Sequence, residues 1–157
     1  MNNDNGANSQ FLIETTQMGG LPEVVLNRYT GKDSTVIIPE GVTCIGNSAF
    51  AGNLYVQRVV LPESLRSIGD GAFLDCKNLR GFNTPAALRV ISRIAFAGCV
   101  SLEDVRLPES VSVVERTSFA ECSKLFDRWS REHLCPLCGG KLQGFLQKRC
   151  NRCNTRI

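Results

Sequence analysis

This 157-residue sequence lacks several features that mark other classes of protein. It contains no uninterrupted apolar run of the roughly 18 residues that a membrane-spanning helix needs, so no membrane span is predicted. Near its start it shows no basic segment followed by an apolar run, which is the pattern of a secretory signal peptide. We therefore expect a cytoplasmic protein that does not enter a membrane.

Motifs for catalysis are also scarce. The chain has one histidine, no G-x-S-x-G nucleophile elbow and no glycine-rich phosphate-binding loop. From these absences we expect that the protein is not an enzyme. Apolar residues nevertheless make up 43% of the chain, which is enough for a packed core. Residues 1–10 are polar and rich in asparagine, and we expect them to be disordered.

The most informative feature is a unit of 23 residues that occurs four times without insertion or deletion, at 36–58, 59–81, 82–104 and 105–127. Four columns keep their chemistry in every copy: Pro39, Pro62, Pro85 and Pro108; Phe50, Phe73, Phe96 and Phe119; Ile45, Ile68, Ile91 and Val114; Val42, Leu65, Leu88 and Val111. A unit this short buries too little apolar surface to fold alone. The copies are therefore expected to stack around one core as a mainly β solenoid.

The start of each copy predicts a short strand. Val105, Arg106 and Leu107 alternate in polarity, and the proline that follows cannot donate a hydrogen bond to a strand ladder. Successive strands should form a parallel sheet along one face, with short helical or turn segments completing each turn. Gly46 and Gly69 are expected to adopt backbone angles that other residues avoid.

The motif V-x-x-I-G-x-x-A-F-x-x-C-x-x-L, preceded by a strand that ends in proline, resembles the BspA-type leucine-rich repeat over residues 36–127. The resemblance implies a binding scaffold, often found on bacterial surfaces, that performs no catalysis. Residues 26–33 are similar to the lead-in of such arrays, and residues 11–35 are expected to cap the first turn. Thr84, Ala86 and Ser92 depart from the motif, so the third turn is expected to be less regular.

Four of the eight cysteines lie within the repeats. Cys76, Cys99 and Cys122 share one column and are expected to be buried thiols, since a buried free cysteine behaves as a small apolar residue. A redox or metal-binding role is the alternative. Cys44 lies outside the column and is expected to be buried or half-buried.

The other four cysteines, spaced C-x2-C-x11-C-x2-C, are Cys135, Cys138, Cys150 and Cys153. This spacing predicts a structural zinc held by four thiolates and resembles a short zinc ribbon. Residues 128–157 contain too few large apolar groups to fold without such a staple. Two C-x2-C disulfides are the alternative, which a reducing cytoplasm disfavours. Four protein ligands leave no open position for catalysis, so His133 is expected to be a surface residue.

Trp129 follows the last repeat directly. It is expected to cover the apolar end of the fourth turn and to join the solenoid to the ribbon. The alternative is an ordinary, partly exposed aromatic residue.

The leading functional hypothesis is protein binding through the outward face of the predicted sheet. By period, that face comprises Arg58, Val60, Gly81, Asn83, Asp104 and Arg106. The alternative is nucleic-acid binding, because residues 128–157 hold seven basic side chains and one acidic one. Its possible phosphate contacts are Lys141, Lys148, Arg149, Arg152 and Arg156. We expect a monomer.

Overall fold

The computed structural model describes residues 10–18, 20–135, 138–143 and 149–150. The strands are β1 (Phe11–Met18), β2 (Leu21–Tyr29), β3 (Thr35–Ile37), β4 (Cys44–Ile45), β5 (Arg58–Val60), β6 (Ser67–Ile68), β7 (Gly81–Phe82), β8 (Val90–Ile91), β9 (Val113–Val114), β10 (Leu142–Gln143) and β11 (Arg149–Cys150). A helix, α1, spans Ser123–Arg131. No helix in this part of the chain is long and apolar enough to cross a membrane.

The predicted β solenoid of about four turns is confirmed, but its repeats form two sheets where the sequence predicted one parallel sheet. The three-stranded sheet has the order β3-β5-β7, and the six-stranded sheet has the order β1-β2-β4-β6-β8-β9. Within the repeats, every pairing joins residues 23 positions apart, as in Ile45 with Ile68 and Val36 with Val59. The repeat period therefore fixes the register of both sheets.

The strand predicted at Val105–Leu107 is not formed, and only an isolated bridge joins Gly81 to Asp104. Side chains replace the missing ladder beside it. The Thr84 hydroxyl donates to the Arg106 carbonyl at 2.8 Å, and the Asn83 amide bonds both the N–H and the carbonyl of Leu61. The missing strand belongs to the fourth repeat, whereas the third repeat keeps the short strands β7 and β8; the irregularity expected of the third turn stays a prediction.

A column of aromatic rings runs through the core and confirms the inward placement of the phenylalanines. Successive rings lie 4.7–5.3 Å apart, centroid to centroid, in the order Phe11, Tyr29, Phe50, Phe73, Phe96, Phe119 and Trp129. The four repeat phenylalanines are all at most 1% exposed. Each stacked pair adds about 0.5–1.5 kcal/mol beyond the burial of its area.

Gly46 and Gly69 were predicted to adopt backbone angles that other residues avoid. This is wrong, because neither has a positive φ. Each is instead too close to the preceding turn for a side chain: a Cβ on Gly69 would lie 2.9 Å from the Ile45 carbonyl oxygen. The left-handed positions lie elsewhere in the repeat, in the columns that contain Gly71 (φ 60°) and Gly98 (φ 74°).

Both ends of the core are covered. β1 and β2 form an antiparallel hairpin, and β2 pairs with β4 at the start of the six-stranded sheet. Gln10 belongs to this ordered part because its carbonyl accepts a hydrogen bond from the Thr30 N–H at 2.9 Å. The predicted disorder of residues 1–9 lies outside the described residues. At the other end, Trp129 on α1 is 2% exposed and meets Phe119 edge to face, so it covers the last turn as predicted.

Candidate metal centre and interaction face

Three of the four predicted metal ligands converge at the end of the described chain. The Sγ atoms of Cys135, Cys138 and Cys150 all lie within 4.8 Å of one another. Those of Cys138 and Cys150 are 3.3 Å apart, and all three residues are at most 2% exposed. The fourth predicted ligand, Cys153, lies outside the described residues.

Local structure explains how the first two thiols meet. α1 ends at Arg131, and His133 turns the chain with a φ of 55°. The N–H of Cys135 then donates to the Gly140 carbonyl at 2.8 Å, and the N–H of Gly139 donates back to the Cys135 carbonyl at 2.8 Å. This tight turn brings the thiols of Cys135 and Cys138 to one side. The β10–β11 pairing brings Cys150 to them.

The thiol cluster has dimensions that suit a metal ion. A zinc ion with Zn–S bonds of about 2.3 Å holds its thiolates roughly 3.8 Å apart in a tetrahedron, which agrees with the observed cluster. Within the described residues no disulfide joins Cys135 to Cys138. Three nearby cysteines can therefore bind a metal. His133 is exposed, as predicted.

The cluster is packed onto the solenoid and does not stand apart from it. Val114, in β9, packs against the three cysteines. Gly139 lies flat on the Trp129 ring, since a Cβ there would be 2.8 Å from the indole Cζ2 atom. Trp129 thus contacts Phe119 of the last turn and the cysteine turn at once, which is the joining role predicted for it.

The cysteines of the repeat have a different environment. The thiols of Cys76, Cys99 and Cys122 are 0% exposed, and their Sγ atoms donate to carbonyls of the preceding turn at 3.1 Å. Burial raises the pKa of Cys76 and Cys122 to about 12 and also raises the pKa of Cys99. Cys44 is half-buried, and burial raises its pKa too. These thiols therefore stay protonated and are poor ligands or nucleophiles.

The predicted protein-binding residues lie along the three-stranded sheet, but they differ in what they expose. Arg58 and Asp104 pair with each other at 3.3 Å. Arg106 lies 4.0 Å from Glu132 of the segment after α1. Gly81 is buried, contrary to prediction, because Asp104 lies against it: a Cβ there would be 2.7 Å from the Asp104 carbonyl oxygen.

Two further positions change the character of this face. Val60 is 38% exposed, as predicted, while the Asn83 side chain is committed to the backbone of Leu61. Thr35 and Ile37 belong to the same face, and Ile37 is 68% exposed. Neither residue was predicted for this face, although Ile37 is one period before Val60.

The predicted phosphate contacts lie mostly beyond the described side chains. Lys141 is exposed. The side chain of Arg149 and the residues Lys148, Arg152 and Arg156 are outside the described part. Nucleic-acid binding stays a prediction from charge.

Comparison with known proteins agrees with the fold. A family model described as the BspA type leucine rich repeat region matches residues 29–126. A leucine rich cell surface protein from Faecalibacterium prausnitzii A2-165 is 28% identical with a TM-score of 0.63, over 74% of this chain and 32% of that protein. The chain thus spans about a third of that relative. No match to a curated protein was found.

Two further solved structures match at similar levels. The T. pallidum leucine rich repeat protein is 30% identical with a TM-score of 0.63, over 75% of this chain and 67% of that one. A leucine-rich repeat protein from Bacteroides capillosus is 26% identical with a TM-score of 0.58, over 69% of this chain and 93% of that one. Family model and structures coincide on the repeats, and the chain therefore belongs to the BspA-type leucine-rich repeat family.

Proposed function

We propose that this chain is a non-catalytic scaffold that binds a protein partner through the outward face of the three-stranded sheet. The observation that carries the proposal is the pair Ile37 and Val60. They are neighbours in the β3–β5 register, and both expose β-branched apolar side chains to solvent, at 68% and 38%. Exposed apolar groups rimmed by charge are typical of protein-binding surfaces.

The rim of this face is charged and self-paired. Arg58 and Asp104 are 52% and 59% exposed in their side chains and form an ion pair. Exposed pairs of this kind contribute little to stability, about 0–1 kcal/mol, so they are free to exchange partners on binding. An apolar centre with a mixed charged rim favours a protein partner over a polyanion.

The test is capture by the purified chain with substitutions on two faces. Ile37→Asp and Arg58→Glu should each reduce the amount of a specific partner recovered from native cells. The control is Val113→Asp on the six-stranded sheet, where Val113 is 42% exposed, close to the 38% of Val60. This variant should leave recovery unchanged. Equal recovery with all variants would remove the three-stranded face from consideration.

We also propose that the cysteine cluster holds one structural zinc ion. Cys135, Cys138 and Cys150 would bind it, with Cys153 as the fourth ligand predicted from the sequence. The ion would supply binding free energy of roughly 10–16 kcal/mol to a segment with little core of its own. The burial of the three described thiols and their packing on Val114 support this.

Metal content of the purified protein tests this second proposal. About one zinc per chain is expected from a four-thiolate site, and Cys138→Ser should remove most of it. Cys99→Ser is the matched control, since its thiol lies in the repeat core, and it should keep its zinc. A zinc-free wild-type protein, purified without chelators and in reduced form, would disprove the site.

A cytoplasmic location remains part of the proposal. The reduced, buried thiols of the repeats and a thiolate site for zinc both suit a reducing compartment. Fractionation of native cells, with antibody detection of the protein, provides the measurement.

A further inference from the structure

The two sheets have four ends, and the described residues cover them unequally. The six-stranded sheet begins with the β1–β2 hairpin and ends at β9, where Val114 packs on the cysteine cluster. Beyond β7, Arg128 of α1 donates to the Glu103 carbonyl at 2.6 Å. At the outer edges of β1 and β3, no further strand of the described chain is paired.

Hydrogen bonds show which backbone groups of β3 face outward. The Ser34 carbonyl accepts from the Arg58 N–H at 3.0 Å, and the Ile38 N–H donates to the Val60 carbonyl at 3.0 Å. Because a parallel strand alternates its bonding partners, Val36 also faces β5, and the N–H and carbonyl groups of Thr35 and Ile37 face the open edge.

The edge of β3 differs from the other open strand edge, that of β1. Residues 14–17 of β1 are exposed and polar, with the sequence Glu-Thr-Thr-Gln. Charged and polar side chains on an edge strand discourage pairing with another chain. β3 has no charged residue, and its Ile37 is the most exposed large apolar residue of the described chain, at 68%. No charged side chain within β3 therefore opposes the addition of a strand.

We propose that β3 pairs with β3 of a second copy of this chain, antiparallel and with a two-fold axis at Val36. In this register Thr35 of one copy stands opposite Ile37 of the other. Both residues present outward N–H and carbonyl groups, so each of the two resulting residue pairs can exchange two hydrogen bonds. The pairing would continue the three-stranded sheet into the second copy.

Charge and apolar contacts fit the same register. Counting from Val36, Lys32 of one copy comes opposite Glu40 of the other, and both are exposed. The two-fold axis makes this contact twice. It also brings Ile37 of each copy diagonally across from the other, within the reach of side chains on one sheet face. The exposed Val60 residues extend that apolar patch on both sides.

β3 has only three residues, so the interface is small. Small interfaces form weak, reversible complexes. We therefore expect rapid exchange between one chain and two, which differs from the monomer expected from the sequence. This pairing uses the edge of β3, whereas the proposed partner face uses its outward side chains.

Sedimentation velocity of the full chain over a concentration series tests the proposal. The wild-type sedimentation coefficient should rise with concentration toward that of a dimer. Lys32→Glu and Glu40→Lys should each raise the concentration of half-association by roughly fivefold, because each places like charges opposite one another. The double variant Lys32→Glu with Glu40→Lys should restore association. Lys77→Glu, at an exposed site in another turn, is the control and should associate like wild type.

The charge swap separates this proposal from others. A wild-type coefficient that is independent of concentration, or a double variant no better than the single ones, would overturn it. Because Lys32 and Glu40 lie outside the partner face, capture of a protein partner should survive in these variants. Failure of either proposal is therefore visible without the other.

Discussion

Cysteine serves opposite purposes in two regions of this molecule. In the repeats, the thiols of Cys76, Cys99 and Cys122 follow one another at the 23-residue period, and each donates to a backbone carbonyl. At the end of the chain, Cys135 and Cys138 point into one cluster with a third thiol. The repeat region distributes its stabilisation over many similar contacts, while the terminal region concentrates it at one point. The cysteines at the repeat period are thus buried one in each turn, whereas Cys135, Cys138 and Cys150 come together in a cluster.

The largest effect is expected in the repeats, when one ring is removed from the aromatic column. Phe96→Ala should lower the free energy of unfolding by about 3–5 kcal/mol, because Phe96 stacks on Phe73, Phe82 and Phe119. Urea unfolding followed by circular dichroism gives the value. Leu54→Ala, at a residue that is 52% exposed, should cost far less. If the two variants were equally stable, the column would not be the main support of the fold.

The second-largest effect is expected at alkaline pH, which should lower the stability of the repeats. Burial raises the pKa of Cys76 and Cys122 from 9.0 to about 12. Between these two pH values the thiols ionise in the unfolded chain but stay protonated in the folded one. Stability that is complete below pH 9 should therefore fall as the pH approaches 12. Tyr29, with its pKa raised from 10.0 to about 12, acts in the same direction.

Urea midpoints measured through that window would show the fall. Cys76→Ala should make it shallower. The zinc proposed for the cysteine cluster should stay bound over this pH range, because thiolates that ligate a metal have already lost their protons. If zinc were released over the same pH range in which the repeats lose stability, the two regions would not be stabilised independently.

A third change addresses the junction between the regions. Gly139→Ala places a Cβ 2.8 Å from the Trp129 ring, at a φ of 64°. Gly52→Ala has a similar φ of 71° but meets nothing within 4 Å. The first variant should therefore be less stable than the second by about 1–3 kcal/mol, the usual cost of overpacking. Thermal unfolding compares them, and equal stability would mean that the cysteine turn is not seated on the tryptophan.

The smallest effect is expected when one thiol of the repeat column Cys76, Cys99 and Cys122 is removed. Cys99→Ala removes the S–H group that donates to the Phe73 carbonyl at 3.1 Å. The loss should be about 1 kcal/mol, the net value of one hydrogen bond. Urea unfolding gives this value. Zinc content should be that of the wild type. A lower zinc content would mean that the repeat thiols influence metal binding at the cysteine cluster.

The sequence predicted what repeats and failed where structure depends on few residues. Identical columns predicted the solenoid, the inward phenylalanines and the buried thiols, because every turn must present the same apolar groups to its neighbours. It did not predict the strands at Cys44–Ile45 and its equivalents, since two residues carry no alternation. Nor did it predict the loss of the strand at Arg106, whose carbonyl accepts a hydrogen bond from the Thr84 hydroxyl where a ladder bond was expected.

The candidate sites show the same division. The C-x2-C spacing pointed to a thiol cluster, which the described residues contain in part. The outward face was predicted by period from the second turn on. Ile37 lies in the turn before that range, and the burial of Gly81 depends on how closely Asp104 approaches it.

The uniform 23-residue pairing register has a consequence for how such a molecule can change in length. Phe73 and Phe96 stack within 2° of parallel, so an inserted duplicate of residues 59–81 would offer each neighbour the surface that it already contacts. One unequal recombination event could thus lengthen the array while leaving the hairpin and the cysteine turn as they are. Gene duplication, followed by divergence of outward residues alone, would then supply new specificities from an unchanged framework.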